Sequence, residues 1–161
     1  MQGHAVVTPE YIGYFDETHA TSEAEIKRQL AAFMAAFTDP SFIVVGYSLG
    51  AHFATWLAAT YPDRVRELVL IYPFLSLTAV GVSWFPRLAW FSESITEGIL
   101  DTGALARRVR CHVRVISGEK DVICPPEQGR ALARLFPLST YEVVQGAGHG
   151  QVPFEVLFGQ I

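Results

Sequence analysis

Phe42 to Ala59, F-I-V-V-G-Y-S-L-G-A-H-F-A-T-W-L-A-A, carries a strand signal, a tight turn and a helix signal in direct succession. FIVV is a continuous apolar run, the pattern of a strand buried on both faces in a parallel sheet. Phe53, Leu57 and Ala58 then fall on one side of a helix from about Ala51 to Tyr61, which Pro62 stops. Between the two lies G-Y-S-L-G, Gly46 to Gly50. A strand-to-helix turn of this kind holds its serine in a strained backbone conformation and points the hydroxyl away from the sheet. Glycines two before and two after allow neighbouring backbone to approach without a Cβ clash. The turn also sets the N–H of Leu49 at a helix N-terminus, where negative charge is stabilised. Three fixed residues alone recur by chance in roughly one sequence in twenty of this length. The strand before and the helix after give them weight. A nucleotide-binding βα turn is the competing reading, but neither G-x-G-x-x-G nor G-K-[ST] is present.

Outward from this stretch, strand and helix signals alternate, which argues for an α/β fold with a mostly parallel sheet and flanking helices. His4 to Thr8 (HAVVT) reads as a short strand closed by Pro9. Ser22 and Glu25 form a capping box opening a helix with Ile26, Leu30, Phe33, Met34 and Phe37 on one face, stopped at Asp39-Pro40. Leu68–Tyr72, Cys111–Ser117 and Leu138–Val144 read as further strands, and Pro126–Phe136 as a helix. No repeat, low-complexity tract or linker divides the chain, so residues 1–161 read as one domain. An aromatic-rich segment, Pro73 to Leu100, interrupts the alternation. Leu68 to Phe85 has no charged residue and reaches the length of a membrane span. Pro73, Ser76, Thr78, Gly81 and Ser83 break it, and a buried strand followed by an apolar loop or lid explains it better than a membrane span.

Of 161 residues, 50% are hydrophobic and 17% charged, which describes a soluble domain with ample core. The net charge of −4 and scattered Lys and Arg leave no basic face for nucleic acid or an anionic membrane. Cys111 and Cys124 form neither a disulfide framework nor a zinc-ligand spacing, so no metal is expected. A reducing, cytoplasmic compartment fits, and the N-terminus shows no signal peptide.

A serine hydroxyl needs a base to take its proton and a carboxylate to orient that base. Asp121, in S-G-E-K-D, and His149, in G-A-G-H-G, each follow a predicted strand. Carboxyl ends of parallel strands lie along one sheet edge, so Ser48, Asp121 and His149 can meet there. His4, His19, His52 and His112 end no strand opposite the turn and read as ordinary surface or helix histidines. Asp101 and Glu119 are rival acids. Asp101 follows the aromatic segment and Glu119 reads as a solvated turn residue.

G-Y-S-L-G-A with its helix, then Y-P-D-R-V-R-E-L-V-L-I-Y-P, G-E-K-D and G-A-G-H, resembles the α/β-hydrolase superfamily from about His4 to the C-terminus. The resemblance implies Ser48 as nucleophile, His149 as general base and acid, Asp121 as the acid orienting His149, and the Leu49 N–H as an oxyanion donor. It further implies that residues 73–100 are a reduced cap over a substrate pocket walled by Tyr47, Trp84, Phe85, Trp90 and Phe91. The expected activity is hydrolysis of a small-molecule carboxylic ester through an acyl-enzyme, as in serine esterases, without metal or organic cofactor. Acyl transfer, lactone hydrolysis and carbon–carbon bond hydrolysis reuse the same triad and stay open. Set against the family pattern, HAVVTPEYIGY takes the place of the fourth strand and its loop. The resemblance therefore implies a chain that starts partway into the fold, without three strands and the H-G loop that supplies a second oxyanion N–H. Three readings follow. The chain is a fragment with an impaired oxyanion hole, or a minimal hydrolase whose open sheet edge is covered by a homodimer partner or another chain, or a non-catalytic interaction module.

Overall fold

A computed structural model describes residues 6–8, 23–75, 102–153 and 156. The chain divides into two compact units, Met1–Thr38 and Asp39–Ile161.

In the first unit, α1 (Glu23–Ala36) buries Ile26, Leu30 and Met34, spaced four residues apart along one face. Phe33 and Phe37 are half-buried and pack ring to ring at 4.7 Å. Glu23 pairs with Lys27, and Glu25 accepts hydrogen bonds from Arg28 and Gln29. Ser22 lies outside the described residues, and the capping box with it. Val6–Thr8, inside the strand expected over His4–Thr8, form no strand, and Val6 and Val7 are exposed. A β-branched run becomes a strand only when a neighbour pairs with it.

The second unit runs β1 (Phe42–Tyr47), α2 (Gly50–Thr60), β2 (Val65–Ile71), α3 (Thr102–Ala106), β3 (His112–Gly118), α4 (Pro126–Ala133) and β4 (Ser139–Val144). The strands pair in the order β1-β2-β3-β4, all parallel. Alternating residues of the central strands serve both faces. Leu68 and Leu70 of β2 join Val113 and Val115 of β3 in one core, while Val69, Ile71 and Ile116 are buried on the other face. Helix α2 meets the first face through Ala51, Ala54 and Ala58, small residues on one stripe that let the helix lie close to the sheet. Leu105 and Ala106 of α3 and Leu132 and Ala133 of α4 complete that core.

Three differences from the sequence reading have physical causes. Strand β1 is half-buried rather than enclosed on both faces, and Val45 is 40% exposed, because among the described residues β1 pairs only with β2 and forms a sheet edge. Helix α3 was not foreseen, since T-G-A-L-A is too short to show a helical period. His52, read as an ordinary surface or helix histidine, is fully buried between its own helix, α3 and Phe74. Its Nδ1 hydrogen-bonds the Thr102 hydroxyl, and its ring meets Phe74 edge-on at 4.3 Å.

Of the segment 73–100, only Pro73–Leu75 belong to the described residues. Trp84, Phe85, Trp90 and Phe91 lie outside them. No helix among the described residues is long and apolar enough to cross a membrane. Both cysteines are free.

Candidate active site

Register carries the carboxyl ends of the strands to one level. Tyr47 lies opposite Ile71, Ile71 opposite Ile116, and Gly118 opposite Val144. The ladders continue one residue into the turns, with Ser48 N–H donating to Ile71 C=O at 2.8 Å and Tyr72 N–H to Ile116 C=O at 2.8 Å. Every candidate residue described below leaves the sheet at this edge.

Ser48 has φ +50, the left-handed conformation that a side-chain-bearing residue adopts only under constraint. The constraint comes from α2 closing on the end of β1. A Cβ at Gly46 would lie 2.6 Å from the Ala54 Cβ, 2.7 Å from the Ala51 Cα and 2.7 Å from the Gly50 carbonyl oxygen. Gly50 is different: a Cβ there would meet nothing within 4 Å, so the expected steric need for the second glycine is not met. No side chain caps the start of α2, and the Leu49 N–H has no hydrogen-bond acceptor among the described residues. That leaves a donor at a helix N-terminus open to an anion.

Asp121 and His149 come together as expected. The His149 Nδ1 donates to Asp121 Oδ2 at 2.8 Å. Asp121 is 3% exposed, and its Oδ1 accepts the N–H groups of Ile123 at 2.9 Å and Cys124 at 2.8 Å, which locks the carboxylate's orientation. With Nδ1 committed as donor, Nε2 is left as the acceptor, the tautomer a general base requires. The loop carrying His149 lies directly on the end of β3: a Cβ at Gly118 would sit 2.5 Å from the Ala147 carbonyl oxygen. The rival acid Glu119 instead accepts the Gly146 N–H at 2.8 Å, and Asp101 lies outside the described residues.

Ser48 reaches this pair through intermediaries. Its neighbour Tyr47, 48% exposed, sets its ring edge-on to His149 at 5.8 Å and to Tyr72 at 5.3 Å. Ser48 also acts on the Cys124 thiol, lowering its pKa against the effect of burial. No hydrogen bond joins Ser48 to His149 among the described residues. In ligand-free enzymes this contact is often long and tightens when substrate binds.

Tyr72 and Cys124 were missed by sequence reasoning. Tyr72 has φ +52, is 1% exposed, and lies at 4.8 Å ring to ring from His149. Only its place at the end of a strand, before Pro73, hinted at it. Cys124 belongs to the turn that Asp121 organises. Burial, reinforced by the Asp121 charge, pushes its thiol up to about 12, against a lowering by Ser48. The sulfur is therefore a protonated thiol at neutral pH. Burial also raises Tyr47 and Tyr72 above the ordinary tyrosine value, so both remain neutral.

Asp121, Cys124 and His149 place an oxygen, a sulfur and a nitrogen within 4.8 Å of one another. A metal there would have to ionise a thiol held near 12, so these donors suit a proton network better than a cation. At the opposite, amino-terminal edge of the sheet lies a cleft of about 670 Å³ lined by Ala59, Pro62, Arg107, Arg108, Arg110 and Pro137. Among the described residues that line it there is no histidine or carboxylate.

Residues 2–100 match the alpha/beta hydrolase fold family. The chain is 39% identical to a pyrrolizixenacetamide deacetylase of Xenorhabdus hominickii over 44% of this chain and 28% of that one. It is 26% identical to a pimeloyl-[acyl-carrier protein] methyl ester esterase of Neisseria meningitidis serogroup B over 72% of this chain and 65% of that one. The chain thus spans less than two thirds of these relatives. Among solved structures, an alpha/beta hydrolase enzyme from the sediment metagenome of the Mar Chica lagoon, Morocco, superposes with a TM-score of 0.72 at 22% identity, covering 94% of this chain and 74% of that one.

Proposed function

The chain belongs to the alpha/beta hydrolase family, and from that premise we propose that it is a serine hydrolase cleaving carboxylic esters through an acyl-enzyme. The observation that carries this reading is the Asp121–His149 hydrogen bond of 2.8 Å beside a serine held at φ +50. In the proposed cycle Ser48 Oγ attacks the ester carbonyl while His149 Nε2 takes its proton, and the imidazolium is stabilised by Asp121. The oxyanion faces the open Leu49 N–H. Collapse of the tetrahedral intermediate breaks the bond to the alkoxy group, which leaves as the alcohol with the proton from His149. Water then attacks the acyl carbon, passes a proton to His149, and the acid leaves as Ser48 recovers its hydrogen. Cys124, held as a thiol, does not compete as nucleophile. Tyr47 and the aromatic residues Trp84, Phe85, Trp90 and Phe91 of segment 73–100 are assigned to the acyl pocket.

A fluorophosphonate probe tests the reading. The expected result is one covalent adduct at Ser48, absent in Ser48→Ala, and turnover of p-nitrophenyl acetate. No adduct on folded protein, with an active hydrolase labelled alongside, overturns it. The deacetylase name of one relative makes p-nitroacetanilide the comparison substrate; faster amide than ester cleavage would move the reaction from ester to amide.

A further inference from the structure

His149 sits in G-A-G-H-G, a stretch outside every strand and helix, with glycines on both sides and positive φ at Gly146 and Gly150. Such backbone is intrinsically free, yet general-base catalysis needs the imidazole placed to within a fraction of an ångström. Asp121 fixes one atom of the ring. One hydrogen bond leaves the ring free to pivot about it, so a second hold is required.

We propose that Tyr72 is that hold: a positioning residue that supports the His149 ring with its own ring and ties down the following loop with its hydroxyl. Four observations meet on it. The Tyr72 N–H continues the β2–β3 ladder by donating to Ile116 C=O at 2.8 Å, so its root is part of the rigid sheet. Its ring lies 4.8 Å from the imidazole, tilted by 39°. Its hydroxyl oxygen accepts the Val152 N–H. Finally, Ser48 and Tyr72 are the two non-glycine residues with positive φ among the described residues, and they leave adjacent strands at the same register level. A bulky aromatic residue in that conformation persists only where its surroundings over-determine it. The other faces of His149 are occupied by Asp121 and Tyr47, and neither reaches the loop beyond it through a hydrogen bond among the described residues.

The effect on turnover rests on the serine-hydrolase reading; the effect on the imidazole does not. Tyr72→Phe keeps the ring and deletes the acceptor, and Val152→Pro deletes the donor while leaving Tyr72 intact. Two readouts are taken on each folded variant: the low-field proton NMR signal of His149 Nδ1–H, assigned by its loss in Asp121→Asn, and the kinetics of p-nitrophenyl acetate hydrolysis. Both variants are expected to broaden or lose the low-field signal and to lower kcat by about 10- to 100-fold, with KM within about twofold. A sharp wild-type-like signal in either variant overturns the proposal, and so does a wild-type kcat. A purely structural role would lower the urea midpoint and leave both readouts in place. If wild-type protein neither turns over ester nor takes the fluorophosphonate, the hydrolase reading fails, and the His149 signal alone decides the role of Tyr72.

Discussion

The two glycines of G-Y-S-L-G are expected to respond oppositely to one added methyl group. At Gly46 the new Cβ would stand 2.6 to 2.7 Å from three atoms, the Ala54 Cβ, the Ala51 Cα and the Gly50 carbonyl oxygen. All three belong to the first turns of α2, and none is the end of a flexible side chain that could swing away. The helix must move off β1, and the alanine stripe Ala51, Ala54 and Ala58 that sets their spacing moves with it. Overpacking of this kind costs typically 1–3 kcal/mol, and three immovable contacts put Gly46→Ala at about 3 kcal/mol, a fall in Tm of roughly 10 °C for a domain of this size. At Gly50, the first residue of α2, a Cβ meets nothing within 4 Å and φ is not positive. Gly50→Ala should therefore stay within about 1 kcal/mol of wild type on the stabilising side, because alanine loses less backbone freedom on folding. Urea denaturation of the three proteins gives the energies, and fluorophosphonate labelling rates report whether Ser48 keeps its posture. Gly46→Ala should label at least tenfold more slowly and Gly50→Ala at the wild-type rate. A Gly46→Ala protein as stable and as reactive as wild type would refute the claim that helix closure on Gly46 holds the serine in place.

Three further outcomes follow from the same geometry. Asp121→Asn keeps an acceptor for the Ile123 and Cys124 amides but cannot hold the His149 tautomer, so ester turnover should fall by about 10³ to 10⁴ with the urea midpoint little changed; equal losses of stability and activity would contradict that division of labour. Burial pulls His52 down to about 3, so the native protein keeps it neutral where the unfolded chain takes up a proton. Its contribution is complete above about pH 6.5 and lost as pH falls toward 3, which amounts to about 2 kcal/mol at pH 5. A urea series from pH 7.5 to 5 should show this slope and His52→Gln should flatten it; an identical slope in both proteins would exclude His52 as its source. Cys124, buried and held near 12, should resist iodoacetamide at neutral pH until urea unfolds the chain, and peptide mapping that found it alkylated in the native state would overturn its assignment as an inert thiol.

Much of this arrangement was legible before any coordinates. The strands and the helices α2 and α4 of the second unit announced themselves through period, and Ser48, Asp121 and His149 through their place just after strands, because parallel topology turns a position in sequence into a position at one sheet edge. What escaped depended on neighbours. FIVV looks the same at an edge as in the centre of a sheet, since hydrophobicity states what a strand tolerates and pairing decides what it receives. His52 sits on a helix whose remaining residues are so apolar that no polar face remains to point it outward, and its partner Thr102 belongs to a helix too short to detect. Gly50 satisfied a motif without satisfying a contact. Tyr72 carried no motif; its importance lies in a backbone angle and in a hydrogen bond to a residue eighty positions away, neither of which any local window contains.

These long-range relations explain why the site lies where the sheet ends. Ser48 and Tyr72 turn out of β1 and β2 at the same level with φ of +50 and +52, so the two adjacent strands break regular geometry in the same way. Left alone, each turn would relax toward an unstrained conformation. They are held from the other direction, by the fully buried Leu70, Val69 and Leu68 two to four residues before Tyr72 and by α2 closed on Gly46 near the end of β1. The strain is thus opposed by core burial a few ångströms away. That proximity links the core to this edge: loosening the β2–α2 contact is expected to relax Ser48 and the support of His149 together, before the strands themselves separate. Graded core-trimming variants should accordingly lose ester turnover ahead of the global urea transition, and turnover that tracked the unfolding curve at every step would place the holding forces elsewhere.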